Sequence, residues 1–339
     1  HYRVTVQDYE VLMEWKYKNS GYDMIGGVNF DGRRKTGKNG GSYGYQYSAD
    51  SGQVYFFNDF LGKESDFFGT YSGYVQVQKR IDWLKGLLFT GGIRNDYGYS
   101  PKNSYNQLSP RVGVTQSLTD KLTFKLLFGT ALRAPGLKEV NLNHERELIK
   151  REELKAETIQ SFEAGLSYLM DYFVFNSAFF YNITENSMEA RNSDGINYFI
   201  NHDGDITAKG FEFELNYSFK KRFSGFLNYS YALAKDFDGN QIEDVPSAKL
   251  NFAAFCHCNS YHGGILFRWI QDFRVASDAD DPVSGFSIVD FNSSWELNPF
   301  VVFSFSIKNL LNEKALIPQF GVPFIPYPAR SFEISFLFD

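Results

Sequence analysis

"AKGFEFELNYSF", residues 208–219, decides how the whole chain is read. Phe211, Phe213, Leu215, Tyr217 and Phe219 fall on one face of an extended segment, and Gly210, Glu212, Glu214, Asn216 and Ser218 on the other. Side chains of a strand alternate between its two faces, so this period of two predicts a β-strand with one greasy and one wet side. The next run repeats the pattern, with Phe223, Leu227, Tyr229 and Tyr231 opposing Ser224, Asn228 and Ser230. The last run does so again, with Phe332, Ile334, Phe336 and Phe338 opposing Ser331, Glu333 and Ser335. In a soluble sandwich the greasy face would be the core. Here it recurs in too many strands, and the opposite face is polar throughout. An all-β, antiparallel transmembrane barrel, with lipid outside and water inside, fits better.

Composition agrees. The 339 residues include 35 Phe and 22 Tyr but only 2 Cys, 4 Met and 10 Pro. Mean hydropathy is nevertheless negative, and no apolar run reaches the roughly 18 residues of a spanning helix. Alternating strands reconcile aromatic richness with a hydrophilic average. The net charge of −6 gives no support for nucleic-acid binding. Cys256 and Cys258 lie two apart in a strand, read as small apolar residues on one face. His1-Tyr-Arg-Val already reads as strand, so the chain is expected to be a mature or truncated piece.

The connections supply a separate test. Short ones are expected near Lys18–Gly21, Asp82–Lys85, Leu118–Lys121, Met170–Tyr172, Lys220–Arg222, Asn259–Tyr261 and Glu296–Pro299. Long ones are expected over 31–66, 99–108, 134–157, 183–207, 236–245, 275–283 and 309–329. Short and long alternate, as they do in barrels with tight periplasmic turns and long extracellular loops. The spacing predicts about fifteen strands, with 50–60 and 187–200 as hairpins inside long loops. Bacterial barrels have even strand numbers, so either the count is off by one or further strands lie before His1.

Several motifs carry a resemblance to a known family. "FGTALRAPGLKEV" (128–140), then "EELKAETIQSFEAGLSY" (152–168), is similar to the Phe-Arg-Ala-Pro stretch, loop and Leu-Lys-Pro-Glu-Thr stretch of TonB-dependent outer-membrane receptors. "FSIKNLLNEKA" (305–315) resembles their Val-Lys-Asn-Leu-Phe-Asp pattern, and "YPARSFEISFLF" (327–338) their closing Pro-Gly-Arg-Ser-Phe strand. "LSPRVGVTQSLTDKLTFKLLFG" (108–129) fits in the same order. Leu132, Glu152-Glu153 and Ala156 depart from the motifs. The resemblance implies that residues 1–339 are part of a 22-stranded barrel, with the plug domain and first strands absent from this chain. It further implies import of a bulky nutrient across the bacterial outer membrane, driven by the TonB complex of the inner membrane. A ferric siderophore is the first choice and haem the second, with outer-membrane lipid around the barrel. No resident cofactor is implied, and no catalytic motif stands out.

Six residues are the candidates for ligand contact: His144, Arg146, Arg133, Tyr43, Tyr45 and Tyr47. In haem-uptake members of the family a histidine in the loop after Arg-Ala-Pro ligates haem, which implies that role for His144. The bland alternative is a solvated residue among Glu145, Arg146 and Glu147. Arg133 suits pairing with an inward carboxylate better than ligand contact, and Pro135 stops the ladder. Loop 31–66 places Arg33, Arg34, Lys35 and Lys38 before the three tyrosines, cations and rings that suit an anionic, aromatic chelate. A flexible Gly-rich surface loop is the alternative. His257 and His262, flanking a tight turn, suit a structural role, and "DFDGN" (236–240) and "DADD" (278–281) suit solvated loop tips. A passive porin and a soluble β-sandwich or adhesin are the competing classes.

Overall fold

The computed structural model describes residues 5–19, 21–36, 44–47, 54–57, 67–81, 83–84, 86–100, 103–136, 139, 154–193, 196–220, 222–242, 246–273, 283–319 and 322–338. Every regular element among them is a strand. In chain order these are β1 (Thr5–Lys18), β2 (Tyr22–Thr36), β3 (Gly44–Tyr47), β4 (Val54–Phe57), β5 (Phe67–Ile81), β6 (Leu87–Ser100) and β7 (Asn103–Ser117). Then follow β8 (Leu122–Arg133), β9 (Glu157–Leu169), β10 (Phe173–Glu185), β11 (Met188–Ser193), β12 (Ile196–Asn201), β13 (Ile206–Phe219) and β14 (Phe223–Lys235). The last are β15 (Ala248–Cys258), β16 (Tyr261–Ile270), β17 (Phe286–Asn298), β18 (Val301–Lys308), β19 (Leu316–Gln319), β20 (Val322–Pro326) and β21 (Ser331–Phe338).

Fifteen of these form one sheet, in the order β1-β2-β5-β6-β7-β8-β9-β10-β13-β14-β15-β16-β17-β18-β21. Strands adjacent in the sheet are adjacent in sequence apart from three inserted hairpins, β3–β4, β11–β12 and β19–β20. The expected number of principal strands is met. The 187–200 hairpin forms as β11–β12, while β19–β20 arises inside the connection read as irregular. One expectation is corrected: 99–108 is not a long loop. Tyr97, Tyr99 and Tyr105 favour strand, and β6 still pairs with β5 at Gly69↔Tyr99. Likewise β2 runs to Thr36, so Arg33, Arg34 and Lys35 lie in a strand rather than in the loop.

Contacts divide the chain into two compact units. The first comprises 1–115, 127–162 and 182–207; the second comprises 116–126, 163–181 and 208–339. In the first unit, one face of β1 presents Val11, Met13 and Trp15 at 51%, 66% and 49% exposure. Val28 and Tyr71 continue that apolar face. Its opposite face is polar and internally bonded. Ser72 donates to Asp96 (2.5 Å), Arg94 Nη2 reaches Ser72 (2.9 Å) and Asp96 (2.8 Å), and Tyr74 donates to Glu14 (2.7 Å). A Cβ at Gly26 would overlap the Trp15 indole, so the glycine lets the ring cover the backbone of β2.

In the second unit the decisive stretch behaves as its pattern requires. Phe211 stacks near Phe179, Tyr229 and Tyr231 (6.0, 5.7 and 5.8 Å), and Phe213 lies 5.6 Å from Tyr229, all on one face. None of these rings is buried. Phe332, Phe336 and Phe338 are 63%, 54% and 73% exposed. A sandwich would hide them. The buried apolar residues among those described are few: Leu154, Ala156, Ala248, Ala253, Phe273, Ile288 and Ala315.

Short turns close tightly. Asn19 donates to Tyr22 O (3.0 Å), Met170 to Phe173 O (2.8 Å) and Arg222 to Phe219 O (2.9 Å). Asn259 (φ 53°) and Lys220 (φ 48°) take the left-handed conformation these turns need. Asn is among the few residues that adopt it readily. Aromatics border the turns: Tyr17 and Tyr22, Trp83, Tyr172 and Phe219, Tyr261 and Trp295, Phe300 and Phe338. Such girdles mark the boundary between hydrocarbon and water in outer-membrane barrels. In two neighbouring turns Lys121 Nζ lies 3.0 Å from Asp171, whose carboxylate holds that ammonium above its ordinary range.

The Lys-Asn-Leu motif has a structural reason. Asn309 is 1% exposed at φ 52°. Its side chain donates to the carbonyls of Glu313 and Pro328 (2.9 Å each) and accepts from Glu313 N (2.8 Å). Its own N–H reaches Asp290 (2.8 Å), which also pairs with Arg268 (2.8 Å).

Two predictions follow from this architecture. In the protein folded into lipid vesicles, Phe179→Lys on the apolar face should lower unfolding free energy by about 2–4 kcal/mol, while Asn176→Lys on the polar face changes it by less than about 1 kcal/mol. Equal effects in denaturant titrations would refute the assignment of faces. Asn309→Ala should cost about 2–4 kcal/mol, from orphaned backbone groups and a strained φ. A loss below about 1 kcal/mol would show the connection to be held by other contacts.

Candidate functional site

The charged segment between β8 and β9 is anchored at both ends. Arg133, the last residue of β8, pairs through Nε with Glu157, the first residue of β9, and through Nη1 with Glu139 Oε1 at 2.9 Å. Glu139 Oε2 accepts from Gly136 N, and the other oxygen of Glu157 from Met188 N, each at 2.5 Å. One guanidinium therefore joins two strand ends and the start of the loop. The planar fork of Arg suits two carboxylates at once, which a lysine ammonium does not. The pair is partly screened: the Arg133 side chain is 51% exposed, those of Glu139 and Glu157 15% and 17%.

The far end is held by an amide. Asn201, last in β12, accepts from Lys155 N (2.7 Å) and donates to Lys155 O (3.0 Å) and Asn186 O (2.7 Å). His202 N reaches Ser187 O (2.9 Å). Leu154 and Ala156 are buried beneath this brace. In the same hairpin, His202 pairs with Glu189, and Arg191 lies 3.1 Å from Glu189 and 3.3 Å from the His202 ring. Nothing in the sequence pattern singled out Asn201, Glu157 or Glu139. Glu157 could have been found as the Glu of the Lys-Ala-Glu-Thr stretch.

Of the six ligand candidates, the structure describes the side chain of Arg133 alone. His144, Arg146 and Tyr43 lie outside the described residues. Tyr45 and Tyr47 belong to β3, where their backbones pair with Phe56 and Val54 of β4. Of the two acidic stretches, 278–281 lies outside the described residues. In the other, Asp236 Oδ1 accepts from Asp238 N (3.0 Å) and Asn240 N (2.8 Å), closing a local turn. Among the described residues, no group of three or more His, Cys, Asp or Glu side chains converges as a metal centre would.

Within the second unit, the polar face opens into a concavity of about 460 Å³. Lys125, Glu163, Asn176, Glu212, Glu214 and Asn251 line it. Three carboxylates and one cation face a space large enough for a polar segment or a hydrated solute. Asn228 also borders it, and its Oδ1 is buried with no hydrogen-bond partner among the described residues. An acceptor so placed is suited to a donor from water or from another polypeptide.

The geometry at Arg133 makes a prediction. Arg133→Ala should lower unfolding free energy in vesicles by about 1–2 kcal/mol, between the limits for exposed and buried pairs. Arg133→Lys should recover less than half of that loss, because one ammonium cannot serve both carboxylates. Full recovery by Lys in denaturant titrations would refute the two-carboxylate account.

Comparison with known proteins fits these features. The family described as "TonB dependent receptor-like, beta-barrel" matches residues 3–310. An uncharacterized TonB-dependent receptor of Haemophilus influenzae is 27% identical over 188 residues, 51% of this chain and 54% of that protein. Among solved structures, the copper transporter OprC superposes with a TM-score of 0.73 at 15% identity, covering 99% of this chain and 57% of its own. The ferric enterobactin receptor of Pseudomonas aeruginosa gives 0.73 at 17%, covering 99% of this chain and 54% of its own. The chain thus spans little more than half the length of the proteins it matches. It belongs to the TonB-dependent receptor β-barrel family.

Proposed function

We propose that the chain is the C-terminal part of the barrel of an outer-membrane receptor that imports a scarce, bulky nutrient, foremost a ferric siderophore, driven by the TonB complex of the inner membrane. The observation that carries the reading is a sheet with one apolar and one polar face whose long, charged connection is clamped by Arg133 and Asn201. Such a clamp supports a loop that must meet a ligand in a defined place.

Residues 1–339 are read as one partial barrel. Among the described residues, β1 and β21 each have a single neighbour in the sheet. Unpaired backbone in lipid costs several kcal/mol per group, which supports further strands beside both. The family resemblance suggests 22 in all, with a plug against the polar face. The concavity at Lys125, Glu163 and Asn251 is the natural surface for that plug or for a passing solute.

Ligand capture is assigned to the loops. Arg33, Arg34 and Lys35 at the end of β2, with Tyr43 and with Tyr45 and Tyr47 of the β3–β4 hairpin that follows, supply cations and rings for an anionic aromatic chelate. Arg146 adds positive charge to the sequence of the clamped loop, Arg133 stands at its start paired with Glu139 and Glu157, and His144 is the residue a haem reading would use. The ferric enterobactin receptor shares the fold, as does a copper transporter, so the cargo is set by the loops and not by the strands. The transport cycle needs binding, loop closure and plug movement, and no bond chemistry.

The test is a titration of the intact receptor, plug included, with a ferric catecholate siderophore, haem and Cu²⁺. The siderophore should bind with submicromolar affinity, and Arg33→Ala/Arg34→Ala/Lys35→Ala together should weaken it at least tenfold. His144→Ala should leave siderophore binding unchanged. Preferential haem binding that His144→Ala abolishes would replace the siderophore by haem. Preferential Cu²⁺ binding that persists in the His257→Gln/His262→Gln variant would remove both.

A further inference from the structure

We propose that His257 and His262 form a divalent transition-metal site on the polar face of the β15–β16 hairpin, with Glu296 of β17 as its positioning residue. The two histidines are direct partners in the antiparallel register, His257↔His262, one step from the Asn259–Ser260 turn. That turn is fixed by the left-handed Asn259, so the register is locked and the pair is pre-organised. The rings point at each other through the same atom type, with Nδ1 of His257 and Nδ1 of His262 3.0 Å apart. Two nitrogens bound at ~2.0–2.1 Å to one ion, at angles of roughly 95–110°, are separated by roughly 3.0–3.4 Å. The spacing is that of two ligands on a single cation.

The third residue explains which nitrogen is free. Glu296 Oε1 lies 3.6 Å from Nε2 of His262, the nitrogen that does not face His257 in the 3.0 Å contact. A carboxylate there favours the proton on Nε2 and leaves the Nδ1 lone pair for a metal, an outer-shell role common around ligating histidines. Cys256 and Cys258 alternate with His257 and fall on the opposite, apolar face, so they take no part. With two protein donors, water completes the coordination sphere. Imidazole donors suit Cu²⁺, Ni²⁺ and Zn²⁺, with Cu²⁺ bound most tightly. Both ligands come from the hairpin, and the site does not depend on which cargo the receptor carries.

The experiment uses the intact, untagged receptor in detergent, titrated with Zn²⁺ or Cu²⁺ salts by calorimetry and, for Cu²⁺, by electron paramagnetic resonance. One equivalent should bind with micromolar affinity, and the copper spectrum should carry coupling to two imidazole nitrogens. His257→Gln and His262→Gln should each weaken binding at least tenfold. Glu296→Gln should weaken it three- to tenfold while keeping the two-nitrogen signature. Heat-modifiable gel migration reports whether each variant is folded, and the wild-type spectrum decides the matter if one is not. Absence of two-nitrogen coupling, or unaltered affinity in the folded His257→Gln/His262→Gln double variant, would overturn the site and leave a direct imidazole–imidazole hydrogen bond.

Discussion

A peptide group without a partner is costly wherever water is excluded, and among the described residues the strand-to-strand ladder answers that constraint. Each principal strand lies beside its sequence neighbour, so pairing needs only a turn or a loop at each end. The antiparallel meander in turn fixes the side chains. Once two strands are in register, all residues of one parity face the same way, and one slipped residue would put Glu212 and Glu214 where Phe211 and Phe213 belong. The tight turns protect that register. Asn259 and Lys220 accept positive φ so that neither hairpin slips.

Much of this was legible because period two leaves a strong trace when one side must be apolar and the other must not. Residues 208–219 and 223–235 fold as their alternation requires. The reading failed where composition and pattern disagreed. Residues 99–108 hold Ser100, Pro101 and Asn103, which suggest a loop, yet Tyr99 still pairs with β5 and β7 begins at Asn103. The β19–β20 hairpin was missed because Leu316–Gln319 is too short to show a period. The candidate site was less legible still. The brace of Arg133, Glu139, Glu157 and Asn201 joins positions up to 68 residues apart, and no local pattern encodes that convergence.

The brace and the Asn309 knot share one strategy. In each, a polar side chain satisfies several main-chain groups where a regular ladder stops. Asn201 binds the backbone of Lys155 and Asn186, and Asn309 that of Glu313 and Pro328. Family motifs cluster at these strand ends because the ends carry geometric demands that the interior of a ladder does not. A strand interior accepts any apolar residue outward and any polar residue inward. A terminus needs a given amide or guanidinium at a given place.

The aromatic border along the short turns has a further consequence. In the fifteen-stranded sheet, strand lengths run from 8 residues in β18 and β21 to 15 in β2, β5 and β7. In a bilayer, aromatic rings beside the short turns would hold those turns at the interface, and the inequality of length would emerge at the loop-bearing ends. A thicker or thinner bilayer would then cover more or less of the long arms while the ringed margin stays put. Immersion would then be set from one side only, and the loop-bearing side would vary in height without disturbing the anchorage.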